Sequence, residues 1–148
     1  MAKAIPIVAW DHIVVRVTDL ERSLQFYKEH LGFEPVVDVE IGGEQLSKIL
    51  SGHAGSEIRG AKARLVLGKV GGQLVELINY TVTDDSLLPP PGIGAFTLRV
   101  TDAGEAYAAC QERGLRPETP PVEIEGSRQF FIRDPDGISI ELTQPPKY

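Results

Sequence analysis

The chain holds a single cysteine, Cys110, which excludes an internal disulfide and any cysteine-rich zinc site. Its position on the apolar stripe of a helical segment marks it as a small buried hydrophobe. Long apolar runs are also missing. None approaches the roughly 20 residues that a membrane-spanning helix requires. The opening stretch MAKAIPIVAW is too short and too interrupted for a signal peptide. A cytoplasmic protein with no membrane partner is the expectation. Positive charge is in deficit, with 15 Lys and Arg against 21 Asp and Glu and a net charge of −6. Nucleic-acid binding draws on clustered basic residues, so no such partner is expected. The acidic residues are scattered and read as a solubilising surface.

What the chain does contain is a repeat. Arg16-Val17-Thr18-Asp19 recurs as Arg99-Val100-Thr101-Asp102, 83 residues later, and each copy closes an apolar strand-like run and opens a helix-like one. A second echo pairs GQLVEL, from Gly72, with GISIEL, from Gly137, at an offset of 65. With 148 residues, 42% hydrophobic and 24% charged, the chain suits one soluble domain built from two copies of one supersecondary unit. Module one spans 7–83 and module two 93–145. The linker, 84–92, contains Pro89-Pro90-Pro91, which cannot enter a sheet interior.

Each module reads as βαβββ. In the first, a strand from Ala9 to Val17 alternates in character, and Asp19 caps a helix running to about Leu31, ended by Gly32. Ser23, Phe26, Tyr27, His30 and Leu31 recur at helical spacing. Strands follow near Phe33–Glu40, Ala63–Gly68 and Gln73–Tyr80, the last two separated by Gly71-Gly72. The second module repeats the order. It has a strand near Ala95–Val100, a helix near Ala103–Arg113 ended by Gly114, and strands near Pro117–Ile124, Arg128–Arg133 and Ile138–Thr143. Asp134-Pro135-Asp136-Gly137 forms a turn. The fold class is α+β: two tandem βαβββ modules forming a curved mixed sheet around a cavity.

The two offsets differ by 18, so module one carries extra residues between the echoes, placed at 41–60. A binding loop or lid and a plain surface insertion are both open readings.

Strand parity sorts the side chains. Ile13, Val15 and Val17 map onto Phe96, Leu98 and Val100 and cover the helices. The opposite face carries His12, Val14 and Arg16 in one copy and Ala95, Thr97 and Arg99 in the other. In the last strands, Glu76 and Glu141 occupy equivalent positions on that same mixed face, with Tyr80 continuing it. If the sheet curves, His12, Glu76 and Glu141 converge. An imidazole and two carboxylates suit a divalent metal, and equally suit a hydrogen-bonded cluster without one. His30 lies at a helix C-terminus, where a cation suits the dipole. Tyr27 and Tyr107 lie on apolar helix faces, and His53 lies in the inserted stretch.

The βαβββ repeat, Asp11-His12-Ile13, SLQFYKEHLGF from Ser23 and RDPDGISIEL from Arg133 resemble the vicinal oxygen chelate superfamily. That group includes glyoxalase I, methylmalonyl-CoA epimerase, extradiol dioxygenases, fosfomycin-modifying enzymes and bleomycin-binding proteins. The resemblance covers nearly the whole chain and implies a single glyoxalase-like domain over 1–148. In metal-dependent members, the first and last strands of each module supply the ligands. The matching positions here are His12, Glu76, Ala95 and Glu141. Alanine cannot coordinate, and the internal repeat independently pairs Ala95 with His12. Thr97, Gln129 and His53 are the nearby substitutes.

The resemblance implies a homodimer and a divalent ion (Zn, Ni, Co, Mn or Fe), weakened by Ala95. It also implies a small-molecule substrate with adjacent oxygens. The expected chemistry is isomerase or lyase catalysis through a metal-chelated enediolate or enolate, with Glu141 or Glu76 as base. Dioxygenase chemistry is disfavoured because it wants two His and one carboxylate. The alternative is a metal-free, antibiotic-type binding protein of the bleomycin-resistance kind.

Overall fold

A computed structural model describes residues 4–42, 62–81, 91–133 and 138–146. Ten elements follow in the order β1 (Ile7–Arg16), α1 (Leu20–Leu31), β2 (Glu34–Gly42), β3 (Lys62–Val70), β4 (Gln73–Thr81), β5 (Gly92–Val100), α2 (Ala103–Glu112), β6 (Val122–Ile124), β7 (Ser127–Arg133) and β8 (Ser139–Gln144). The eight strands form one curled mixed sheet in the order β2-β3-β4-β1-β5-β8-β7-β6. β1 runs parallel to β4, and β5 parallel to β8. The antiparallel β1–β5 pair joins the two halves at the centre.

Local chemistry sets the helix ends. The Asp19 carboxylate accepts the Arg22 N–H at 3.1 Å, and Asp102 accepts the Glu105 N–H at 2.8 Å. Each such cap is worth about 1 kcal/mol. Gly32 closes α1 in the left-handed region, at φ 66°. α1 buries Leu20 and Leu24 against Phe33, Val66 and Leu77, with Tyr27 packed alongside. The expected stripe was turned too far. Phe26 and Leu31 are exposed, and the inward face is Leu20-Leu24-Tyr27, set by the register that the Asp19 cap imposes. His30 is exposed in the last turn, its ring 5.0 Å from that of Phe26. α2 buries Ala106 and Cys110 against Val100, Phe130 and Leu142, and burial pushes the Cys110 thiol up. Tyr107 meets Phe130 edge-on at 5.6 Å.

Three boundaries differ from expectation. Gly92, placed in the linker, begins β5. The strand expected from Pro117 shrinks to Val122–Ile124, because Pro117, Pro120 and Pro121 offer no N–H to a ladder. Ile41 belongs to β2 rather than to an inserted loop, and the rest of the 41–60 stretch lies outside the described residues apart from Gly42. Most of the linker and the turn at 134–137 also lie outside them.

Gly68 in β3 marks a close approach. A Cβ there would overlap the Phe33 ring and lie 2.6 Å from the Glu34 carbonyl oxygen, which is backbone and cannot step aside. Gly68→Ala is expected to destabilise the protein by about 1–3 kcal/mol, read as a lowered urea midpoint with an unchanged m-value.

Candidate functional site

The site begins with a register shift in β1. Trp10 lies opposite Leu98 and Ile13 opposite Phe96, so two residues, Asp11 and His12, are accommodated where β5 offers only Thr97. An extra residue of this kind bends a strand and re-aims its side chains. Asp11 and His12 consequently both line the concave face. His12 Nδ1 donates to Asp11 Oδ1 at 2.8 Å, and Thr97 Oγ1, fully buried, lies 3.2 Å from His12 Nε2. On its other oxygen Asp11 accepts from Arg99 Nε at 3.0 Å and Nη2 at 2.8 Å.

The neighbouring strands bring in the carboxylates. In β4, Glu76 lies opposite Val14 of β1 and Leu67 of β3. In β8, Glu141 lies opposite Thr97 of β5 and Phe131 of β7. Glu76 Oε1 is 3.9 Å from His12 Nε2, and both glutamates face the same cavity as His12. Neither carboxylate is reached by a hydrogen-bond donor among the described residues, although the Glu141 residue is only 8% exposed. A buried acceptor without a donor is costly.

The charges respond to this crowding. Burial raises Glu141 from its usual 4.5 to about 7, the Glu76 charge adding to the rise and His12 opposing it. Burial also raises Glu76, against the pull of His12. Burial disfavours a charged imidazole at His12. The hydrogen bond to Asp11 and the charges of Glu76 and Glu141 outweigh that effect and hold His12 at about 9. Burial would raise Asp11, but His12 and Arg99 hold it below its ordinary value.

The cavity, about 370 Å³, has two unlike walls. β2 and β3 supply Val36, Val37, Val39, Leu65 and Leu67, an aliphatic surface facing the polar cluster. Lys69 and Arg99 stand among the lining residues. Tyr80 is not one of them. It packs into the apolar floor with Val14, Ile78, Ala95 and Phe131, and burial and the Glu76 charge raise its hydroxyl. Ala95 lies in the same apolar cluster and contributes no donor. Gln129 does line the cavity, with its side-chain oxygen accepting from Ser127 at 2.8 Å. His53 lies outside the described residues.

Among the described residues no three His, Cys, Asp or Glu side chains close into a ready-made cation cage. The donor set itself suits a divalent cation. One imidazole, one half-buried and one buried carboxylate face a common space, and no donor among the described residues reaches either carboxylate. Parity reasoning did not place Asp11 in the site, and it put Arg99 on the mixed face without giving it a role. Their signals were the Asp-His dipeptide and the place of Arg99 on the mixed face.

A family model of the Glyoxalase/Bleomycin resistance protein/Dioxygenase superfamily matches residues 9–142. The chain belongs to this superfamily. Among glyoxalase-superfamily relatives, a lactoylglutathione lyase of Arabidopsis thaliana is 28% identical over 97% of this chain and 50% of its own length. A putative lactoylglutathione lyase of Brassica oleracea is 29% identical over 90% of this chain and 43% of its own. The chain thus spans about half the length of these plant relatives. The lactoylglutathione lyase of Escherichia coli O157:H7 is 27% identical, with 90% of each chain covered. In fold, the crystal structure of methylmalonyl-CoA epimerase from Mycobacterium tuberculosis superposes with a TM-score of 0.74 at 22% identity, covering 99% of this chain and 94% of that one. No helix among the described residues is long and apolar enough to cross a membrane.

Proposed function

We propose that this chain is a metal-dependent small-molecule enzyme of the glyoxalase/epimerase type, an isomerase or lyase acting on a compound with adjacent oxygens. The observation that carries the reading is the pair of carboxylates, half-buried Glu76 and buried Glu141, that share one cavity with His12 and that no donor among the described residues reaches. The lyases among the curated relatives support catalysis over sequestration.

His12, Glu76 and Glu141 would hold the divalent ion, with Zn, Ni, Co, Mn and Fe all compatible. When bound, such an ion supplies Lewis-acid polarisation of a substrate carbonyl, worth several kcal/mol. The chain does the rest. In the cation-free protein burial raises Glu141 to about 7, which brings its carboxylate toward the basicity that proton transfer near neutral pH requires. Its oxygen would remove the proton from the carbon beside the carbonyl and deliver it to the neighbouring carbon; inversion at the same carbon would need Glu76, in its protonated form, to supply a proton from the opposite face. Glu76 is the second candidate for this role. The aliphatic wall of β2 and β3 would receive the apolar part of the substrate. Ala95 leaves three protein ligands where four are expected, so the affinity for the ion is lower than a four-ligand set would give. A homodimer in the cytoplasm belongs to the same reading, with sedimentation velocity the check on the dimer.

The test is metal analysis of protein purified without a chelator or a nickel column, paired with solvent-deuterium exchange into α-hydroxy and α-oxo carbonyl compounds. Stoichiometric divalent metal, together with exchange that chelation abolishes, supports the reading. Tight ligand binding with neither metal nor exchange contradicts it and favours sequestration.

A further inference from the structure

We infer that Asp11, clamped by Arg99, is a positioning residue that fixes the His12 ring with Nε2 turned toward Glu76 and Glu141. The inference rests on the site reading above for its consequence, but on independent geometry for its substance.

Three observations carry it. The first is the register shift between Trp10 and Ile13, which turns Asp11 into the cavity beside His12, where a regular strand would send adjacent residues to opposite faces. The second is the chain of contacts. Arg99 Nε and Nη2 both engage Asp11 Oδ2, at 3.0 and 2.8 Å, leaving Oδ1 to accept from His12 Nδ1 at 2.8 Å. A carboxylate receiving two donors from a guanidinium has little freedom to rotate. Its remaining oxygen therefore dictates which imidazole nitrogen carries a proton and which one faces the cavity. Thr97 Oγ1, 3.2 Å from Nε2, marks the other end of the ring.

The third observation comes from the internal repeat. The offset of 83 that carries Arg16 onto Arg99 carries Asp11-His12 onto Gly94-Ala95. The second module therefore carries neither the imidazole nor its neighbouring carboxylate at the equivalent positions. The arginine that would face such a carboxylate, Arg16 of module one, is still in place, since a Cβ on Gly94 would lie 2.7 Å from Arg16 Nη1. Arg16 lies against Gly94 as Arg99 lies against Asp11. A carboxylate serving only local stability would have no reason to be absent together with the histidine. One serving the histidine would.

Groups behind a ring ligand typically govern affinity by 10–100-fold. Two readouts test the assignment, with Asp11→Ala, Arg99→Gln and the double variant. In long-range nitrogen–proton spectra of the cation-free protein, the His12 Nδ1 proton is expected to be protected from exchange by its hydrogen bond to Asp11. Asp11→Ala should abolish the protection. Titration with Co²⁺ is expected to show about 10–100-fold weaker binding in Asp11→Ala. Arg99→Gln should weaken binding less, and the double variant should match Asp11→Ala alone, because Arg99 acts through Asp11. An unchanged His12 ring signal in Asp11→Ala overturns the inference, as do wild-type Co²⁺ affinity in that variant or additive losses in the double variant. If the wild type binds no Co²⁺, the cation reading fails, and the ring spectra alone then decide between a fixed and an unfixed His12.

Discussion

Glu141→Gln is expected to cost at least 10²–10³-fold in turnover while leaving the protein more stable than the wild type at pH 8 in chelator. The loss follows from removing a positioned proton acceptor, which alone contributes about 10²–10⁴-fold. The gain in stability follows from the sign of the shift. Glu141 is raised from 4.5 to about 7, so its favourable contribution is complete below 4.5 and is lost as pH rises through 7. Above that, a charged carboxylate is held in a buried place where no donor among the described residues reaches it. Glutamine keeps the shape and removes the charge. The penalty lifted is on the order of 3 kcal/mol before relaxation is allowed for, and each kcal/mol recovered raises Tm by about 2–4 °C in a chain of this size. Thermal unfolding of the two proteins in chelator checks it, and the difference should shrink toward pH 4.5. A variant less stable than the wild type at pH 8 would mean that Glu141 is held by partners the structure does not show.

Cation-dependent stability gives the second large effect. His12 is raised from 6.5 to about 9 by the Asp11 hydrogen bond and the Glu76 and Glu141 charges, against the opposing effect of burial. Its protonated ring therefore stabilises the cation-free protein fully below 6.5, and that contribution disappears as pH rises through 9. Glu141 has by then also lost its contribution. Facing these groups are the Arg99 guanidinium and Asp11, whose carboxyl His12 and Arg99 hold below its ordinary value. The cation-free protein thus weakens steadily from pH 6.5 to 9. A divalent ion binds the deprotonated ring, so its affinity strengthens over the same interval. At a hundredfold excess over Kd it adds about 3 kcal/mol. The Tm difference between protein with excess Mn²⁺ and protein in chelator is expected to widen from pH 6.5 to 9. A gap that stays constant with pH would indicate binding away from His12.

Much of this was legible in the sequence because duplication supplied an internal comparison. The two RVTD phrases and the paired GQLVEL and GISIEL segments set the βαβββ order, and period-two alternation placed Glu76 and Glu141 on the concave face with His12. The membership later shown by the family match over 9–142 was already suggested by the same residues. What escaped depended on details without a period. A register shift adds one residue and reverses the parity of everything before it, so Asp11 could not be assigned to the cavity from alternation alone. Tyr80 has the parity of the site but lies two strand steps beyond Glu76, where the sheet has closed over an apolar floor. The inward face of α1 depended on the starting angle of the helix, and Phe26 and Leu31 satisfy helical spacing equally well while facing outward. Ala95, by contrast, was visible from the offset alone.

The most direct measurement is an anomalous-difference map from crystals grown with excess Mn²⁺ and no chelator. The account predicts one strong peak in the cavity, in contact with His12 Nε2 and with an oxygen from each of Glu76 and Glu141. A cavity without a peak under those conditions, or an ion held by other residues, would contradict it.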